Sequence, residues 1–144
     1  MPQERTNSKE EQNTPDRPQV SVGILITKDD QVLLMKRGNL PGDGIWFTPG
    51  RRLAYGERPE QCIFRETQEE MGLIITDVTF LAITNDVIEP QKKHLVTIWL
   101  AARYSSGELT LAAAQEMSAA DWFCWDAPPE PLFLPLEHLL TGQC

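Results

Sequence analysis

The stretch from Pro59 to Gly72 limits most what this chain can become. Residues 60–71 contain neither Gly nor Pro, Pro59 suits a first helical position, and Gly72 reads as a C-terminal stop. A helix is therefore predicted there, and its charge is crowded. Glu66, Glu69 and Glu70 stand at i, i+3 and i+4, on one face of an α-helix, with Glu57 and Glu60 just upstream. Two carboxylates about 5 Å apart repel by roughly 3 kcal/mol at an effective dielectric of about 20. A helix gains nothing structurally from that repulsion. A bound divalent cation removes it, and oxygen ligands select hard ions such as Mg²⁺, with Mn²⁺ as the expected substitute. A solvated acidic face is the commoner fate of helical glutamates. It accounts for the charges, but not for Arg65 inside the run or for the Gly-rich strand end just upstream.

Around this helix the pattern is mostly strand. Val20, Val22, Ile24 and Ile26 alternate with smaller or polar neighbours, Asp29-Asp30 is a turn signal, and Val32 to Met35 returns as a second strand. Arg37 to Gly44 carries three glycines and a proline and reads as a loop, followed by a short strand Ile45–Thr48 ending at Pro49-Gly50. After Gly72, strands are predicted over residues 73–77, 78–84 and 95–102. A turn at Ser105-Ser106-Gly107 leads to short strands over residues 108–111 and 122–125, and residues 131–140 have helical spacing. The order predicts a mixed α/β (α+β) domain, with a mixed β-sheet sandwiched between helices. Residues 1–17 are polar and are read as a disordered N-terminal tail, and residues 18–144 as one folded domain.

Composition narrows the partners. The 144 residues suit one domain, and 41% hydrophobic content supports a core. A net charge of −8 argues against a nucleic-acid duplex or an anionic membrane as partner. It leaves room for a small anionic ligand held through a cation. Two histidines, His94 and His138, exclude a multi-histidine zinc site. Cys62, Cys124 and Cys144 are odd in number and lack metal-ligand spacing, which points to a reducing compartment. With no apolar run of membrane-spanning length and no signal peptide, the expected location is cytoplasmic.

The charged helix resembles the Nudix box, written G-x5-E-x7-R-E-U-x-E-E-x-G-U with U aliphatic. Residues 51–73 place Glu57, Arg65, Glu66, Glu69, Glu70, Gly72 and Leu73 in register, seven of nine defined positions. Arg51 departs from the leading glycine and Thr67 from an aliphatic residue. The upstream WFTPG, the segment Asn85–Thr97 and Asp121–Trp125 are similar to the MutT-like nucleoside triphosphate pyrophosphatase branch, so the resemblance covers most of residues 19–140.

The resemblance implies a Nudix fold and Mg²⁺-dependent hydrolysis of a phosphoanhydride in a small nucleotide substrate. For a nucleoside triphosphate the products are a nucleoside monophosphate and pyrophosphate, as in nucleotide-pool cleansing. Two alternatives stay open: hydrolysis of a nucleoside diphosphate linked to a sugar or a second nucleotide, and a Nudix-fold module that binds without turnover. The implied metal ligands are Glu66, Glu69, Glu70 and the Gly50 carbonyl. Glu69 or Glu116 is the expected base, Arg65 positions the acids, and Glu57 supports them. Arg51, where a glycine would permit φ > 0 or a close approach to ligand, is a candidate phosphate contact. Asn85 and Thr97 are candidate polar contacts to substrate. Trp46, Phe47, Trp99, Phe123 and Phe133 are read as core or base-stacking residues, and a homodimer is an open option.

Overall fold

The computed structural model describes residues 17–37, 44–89, 92–110 and 117–142. The expected tail therefore lies outside the described residues except for Arg17, as does Glu116. The chain builds β1 (Gln19–Lys28), β2 (Gln31–Arg37), β3 (Trp46–Phe47) and β4 (Gly50–Arg52) before its first helix, α1 (Pro59–Arg65). A π-helical turn over Glu66–Glu70 follows. Then come β5 (Ile74–Ile88), β6 (Lys93–Ser106), β7 (Met117–Cys124) and α2 (Leu134–Thr141).

All seven strands join one mixed sheet, in the order β3-β2-β1-β6-β5, with β4 added to β1 and β7 to β2. The sheet forks. β1 pairs with β2 only near its end, at Thr27–Val32 and Lys28–Gln31, while its first half takes β4 on that same flank. On its other flank β1 runs parallel to β6 from Gln19–Leu95 to Thr27–Arg103. The chain crosses the fork between β3, which pairs with β2, and β4, which pairs with β1. Thr48, Pro49 and Gly50 make that crossing. β3 is held from the far end of the sequence. The Trp46 N–H donates to the Pro131 carbonyl at 2.9 Å, and the Phe133 N–H donates to the Trp46 carbonyl at 2.9 Å.

Strand alternation sends apolar side chains to both faces, so there are two cores. On one face Val22, Ile24, Ile26, Leu33, Met35, Leu100 and Ala102 pack against Cys62 and Ile63 of α1 and against Met71. On the other, Leu25, Val32, Leu34 and Trp99 pack against Leu136 of α2. Gly23 is required there: a Cβ at that position would lie 2.6 Å from the Trp99 ring. Trp46 and Phe123 meet edge-on at 4.9 Å beside this second core. The sandwich of helix, mixed sheet and helix matches the expected fold class.

The differences from the sequence reading are local. The two strands expected over residues 73–77 and 78–84 are one strand, β5. Its register with β6 slips between Thr76 and Thr79, where Asp77 takes a left-handed φ of 57°. That break is a bulge, which a short polar side chain tolerates. Residues 108–110 form no strand, and residue 111 lies outside the described residues. The last helix starts at Leu134 rather than at residue 131, because Pro131 and Phe133 are engaged with Trp46.

Candidate active site

β4 supplies one wall of the site. The hydrogen bonds Ile24 N–H to Pro49 O (3.1 Å) and Leu53 N–H to Val20 O (3.0 Å) fix the parity of the β1–β4 ladder. Gly50, opposite Gly23, then falls at a non-hydrogen-bonded position, so β1 does not use its carbonyl. Gly50 must be glycine: a Cβ would sit 2.4 Å from the Val22 carbonyl oxygen. Arg51 lies directly across from Val22, and facing residues of an antiparallel pair project to the same side. Val22 packs in the α1 core, so Arg51 is aimed at the face that α1 covers. Its backbone is not among the left-handed residues, so arginine is accommodated here without strain.

The helix supplies the other wall. Pro59 opens α1, and the Arg58 N–H just before it donates to the Gln61 side chain at 3.0 Å, so that the helix start is closed from within its first turn. The α-helix expected to continue to residue 71 instead widens at Glu66 into the π-helical turn. Thr67 provides the physical reason. It is fully buried, and its hydroxyl donates to the Ile63 carbonyl at 3.0 Å and lies 3.2 Å from that of Phe64, competing for carbonyls the α-ladder would use. The wide turn closes with Gly72 N–H on Gln68 O and Leu73 N–H on Thr67 O, both at 3.1 Å, with Gly72 at a left-handed φ of 72°. Such turns occur frequently at functional sites.

The widening corrects the expectation that all three acids share one face. Glu66 and Glu70 are half-buried, while Glu69 is exposed. Burial pushes the Glu66 carboxyl above its ordinary range, and the charge of Glu70 adds to the rise. Arg51, then Arg65, oppose it, and Glu69 acts on it least. Arg65 is tied to Glu57, which also accepts the Ala54 N–H at 3.2 Å. The bond to Arg65 holds the Glu57 carboxyl below its usual range, with Arg51 contributing. Burial pushes the Cys62 thiol up to about 11, so it is not a thiolate at neutral pH.

The donor chemistry fits a hard divalent cation. The set is all oxygen, Glu66 is desolvated beside a like charge, and the Gly50 carbonyl is unused by β1. Among the described residues, no three His, Cys, Asp or Glu side chains are already gathered at ligating spacing.

The expected substrate contacts separate. Asn85 pairs with Val96 and Thr84 with Thr97, so Asn85 and Thr97 project to opposite faces. Thr97 is buried at 3% exposure on the α2 side. Asn85 is exposed on the α1 side, where His94 Nε2 reaches its Oδ1 at 2.6 Å. It lies in the row that runs from Leu53 through Val20 and Val96, three strands or about 14 Å from β4. Trp99 is 1% exposed and donates to Thr84 Oγ1 at 2.9 Å, so it serves the core. The sequence reading did not single out Asp86, which is 1% exposed and bonded to His138 Nδ1 through Oδ1. Its Oδ2 is buried without a partner among the described residues. An acid at an inward strand position was the available signal. A shallow apolar hollow lies on the same α2 face, between Leu25, Leu34, Trp125 and Leu140, with little that could receive a phosphate.

Residues 17–140 match the family model described as NUDIX domain. The chain is 31% identical over 116 residues to an ADP-ribose pyrophosphatase of Methanocaldococcus jannaschii, covering 81% of this chain and 68% of that protein. It is 31% identical over 112 residues to the NAD-capped RNA hydrolase NudC of Pseudomonas aeruginosa, covering 77% of this chain but only 38% of the relative. Among solved structures it resembles a MutT NUDIX hydrolase of Burkholderia pseudomallei. The TM-score is 0.80 at 29% identity, over 88% of this chain and 98% of that one. The matched box, the crossing turn that precedes it and a domain-length family match together establish that this chain belongs to the Nudix hydrolase family.

Proposed function

We propose that the protein hydrolyses, in a Mg²⁺-dependent reaction, the phosphoanhydride of a nucleotide whose diphosphate bridges the nucleoside to a second group. The observation that carries the reaction class is the Gly50 carbonyl, left unused by the β1 ladder on the strand that precedes the box, together with the half-buried, mutually repelling acids of the π-helical segment. Two sequence relatives, named for ADP-ribose and for NAD-capped RNA, support the bridged substrate. The MutT neighbour supports a second reading, a nucleoside triphosphate cut to monophosphate and pyrophosphate.

Glu66, Glu70 and the Gly50 carbonyl would hold the cation, with Glu69 completing the set. When bound, the ion neutralises the acids against a polyphosphate and lowers the pKa of an attacking water. Glu69, the exposed acid, would accept the proton of the attacking water on a carboxylate oxygen that the cation leaves free. Arg65, anchored by Glu57, holds the start of the acidic segment in place. Asn85 lies on the same face, at the distance of an extended substrate's far end.

Product analysis with Mg²⁺ on ADP-ribose, a dinucleotide diphosphate and the nucleoside triphosphates tests this. A nucleoside monophosphate plus a phosphorylated second group is expected. Preferential release of inorganic pyrophosphate from triphosphates moves the assignment to the second reading. No metal-dependent turnover of any of them removes both.

A further inference from the structure

The sheet's two edges end differently. β3 is clasped by the segment from Pro131 to Phe133, with a bridge between Trp46 and Leu132. β5, at the other end of the order, has no strand beyond it among the described residues. Its outward hydrogen-bonding groups follow from the ladders. On β1, Val20 and Ile24 bond toward β4, so Ser21 and Gly23 bond toward β6. In a parallel ladder they engage the neighbours of their own partners, here Val96, Ile98 and Leu100. Leu95, Thr97 and Trp99 are left to bond β5, through Asp86, Thr84 and Ala82. Ile83, Asn85 and Val87 therefore turn their N–H and C=O groups away from the sheet, and no other backbone group among the described residues meets them.

Three features mark this edge for a second copy of the chain. It is regular: residues 82–88 run against β6 without a shift, while breaks between Thr76 and Thr79 and between Phe80 and Ala82 bend the strand before it. It is nearly free of charge: from Val78 to Ile88 the one ionisable residue is Asp86, which is buried, and no proline interrupts. Charges and prolines are the common guards of an open edge. A chain of net charge −8 also repels its own copy wherever charges face each other. The edge is, thirdly, self-complementary. About a two-fold axis through Asn85, antiparallel pairing sets Asn85 against its own counterpart and Ile83 against Val87, all three being outward-bonding positions. Ile83 and Val87 are 48% and 52% exposed, on the same face as the exposed Asn85. Thr84 and Asp86 are buried on the other face, where His138 of α2 holds Asp86.

We propose that two copies of this chain join antiparallel through residues 82–88 of β5, making one continuous sheet with both α1 faces on the same side. Main-chain bonds supply the attraction, and the contacts of Ile83 with Val87 fix the register. The pairing consumes the open edge of both copies, so assembly stops at two. An interface this short is small, and the dimer exchanges with monomer in the micromolar range.

Sedimentation velocity of the full chain, from micromolar to near-millimolar concentration, tests this. A monomer–dimer equilibrium is expected. Val87→Pro deletes an outward N–H but no bond to β6, and edge strands accept proline at such positions. It should weaken the dimer at least about tenfold with an unchanged circular dichroism spectrum, whereas Val87→Thr, which keeps the N–H, should weaken it far less. Register is read separately. Asn85→Cys places two thiols across the axis, with Cα atoms about 5.5 Å apart, and a short thiol-to-thiol reagent should link the copies. Ile83→Cys, about 14 Å from its counterpart, should link no more than the native chain does. A monomer at every concentration overturns the proposal, and slow exchange of its Asn85 amide would then assign the edge to another segment of the same chain. A dimer that Val87→Pro leaves intact, or one linked through Ile83→Cys and not through Asn85→Cys, overturns it equally. Should Val87→Pro fail to fold, the two cysteine variants decide alone.

Discussion

The two faces of the sheet treat acids in opposite ways. On the α1 face Glu66, Glu69 and Glu70 crowd a wide helical turn, partly solvated, with Arg51 and Arg65 near them. On the α2 face a single acid, Asp86, is fully buried and held by one histidine, His138, from the last helix. The first arrangement leaves charge uncompensated at a place that a ligand can reach. The second pairs one Asp86 oxygen with His138 inside the fold and leaves the other buried without a partner among the described residues. A buried acid is therefore a poor guide to this site, and a half-exposed, repelling set is a better one.

The largest expected effect tests the α1 face. Glu69→Gln removes one charge at nearly constant shape and should lower kcat by roughly 100-fold or more. It should leave the thermal midpoint within about 1 °C, because the side chain is exposed. Unchanged turnover would move the base elsewhere, with Glu116 the next candidate.

The α2 face should respond in the other currency, stability. His138→Ala leaves Asp86 buried without its partner and should cost about 3 kcal/mol in urea unfolding. A double variant that also carries Asp86→Leu should recover much of the loss, since no unpaired charge then remains. If His138→Ala is neutral, the pair does not hold α2.

A smaller effect sharpens the contrast through pH. The Glu66 carboxyl is raised above its ordinary value of 4.5, chiefly by burial. Between the unfolded and folded values the native state retains a proton that the unfolded chain has released. Stability is therefore full below the unfolded value and is lost as pH rises through the folded one. In metal-free buffer Glu66→Gln should raise the thermal midpoint by about 2 °C at pH 8, and by nothing below about pH 4. A stabilisation that persists in acid would show that charge is not the cause.

Much of this was legible in the sequence because it depends on neighbours along the chain. Pro59 and Gly72 bound the helical segment as the residue types demand, and the alternation of Val22, Ile24 and Ile26 marked the β1 side chains that pack under α1, though not the second core that Leu25 joins on the other face. What was hidden depends on choices that local pattern leaves open. A buried Thr67 can donate to the turn behind it or stay silent, and only packing decides which, so the π-helical turn was not visible. Asp77 could end a strand or bulge it. The pairing of Asp86 with His138 spans 52 positions, and no periodicity relates them. Arg51 was visible as an oddity, but its direction followed only from the register with Val22.

The clasp on Trp46 has a consequence for biogenesis. Both of its backbone partners, Pro131 and Phe133, are translated more than eighty residues later. As a ribosome extends the chain, the strands around β1, the Gly50 turn that they hold and the acidic helix can form first, but β3 lacks its second anchor until the C-terminal segment emerges. The edge of the sheet at β3 is therefore the last part of this face to be locked in place.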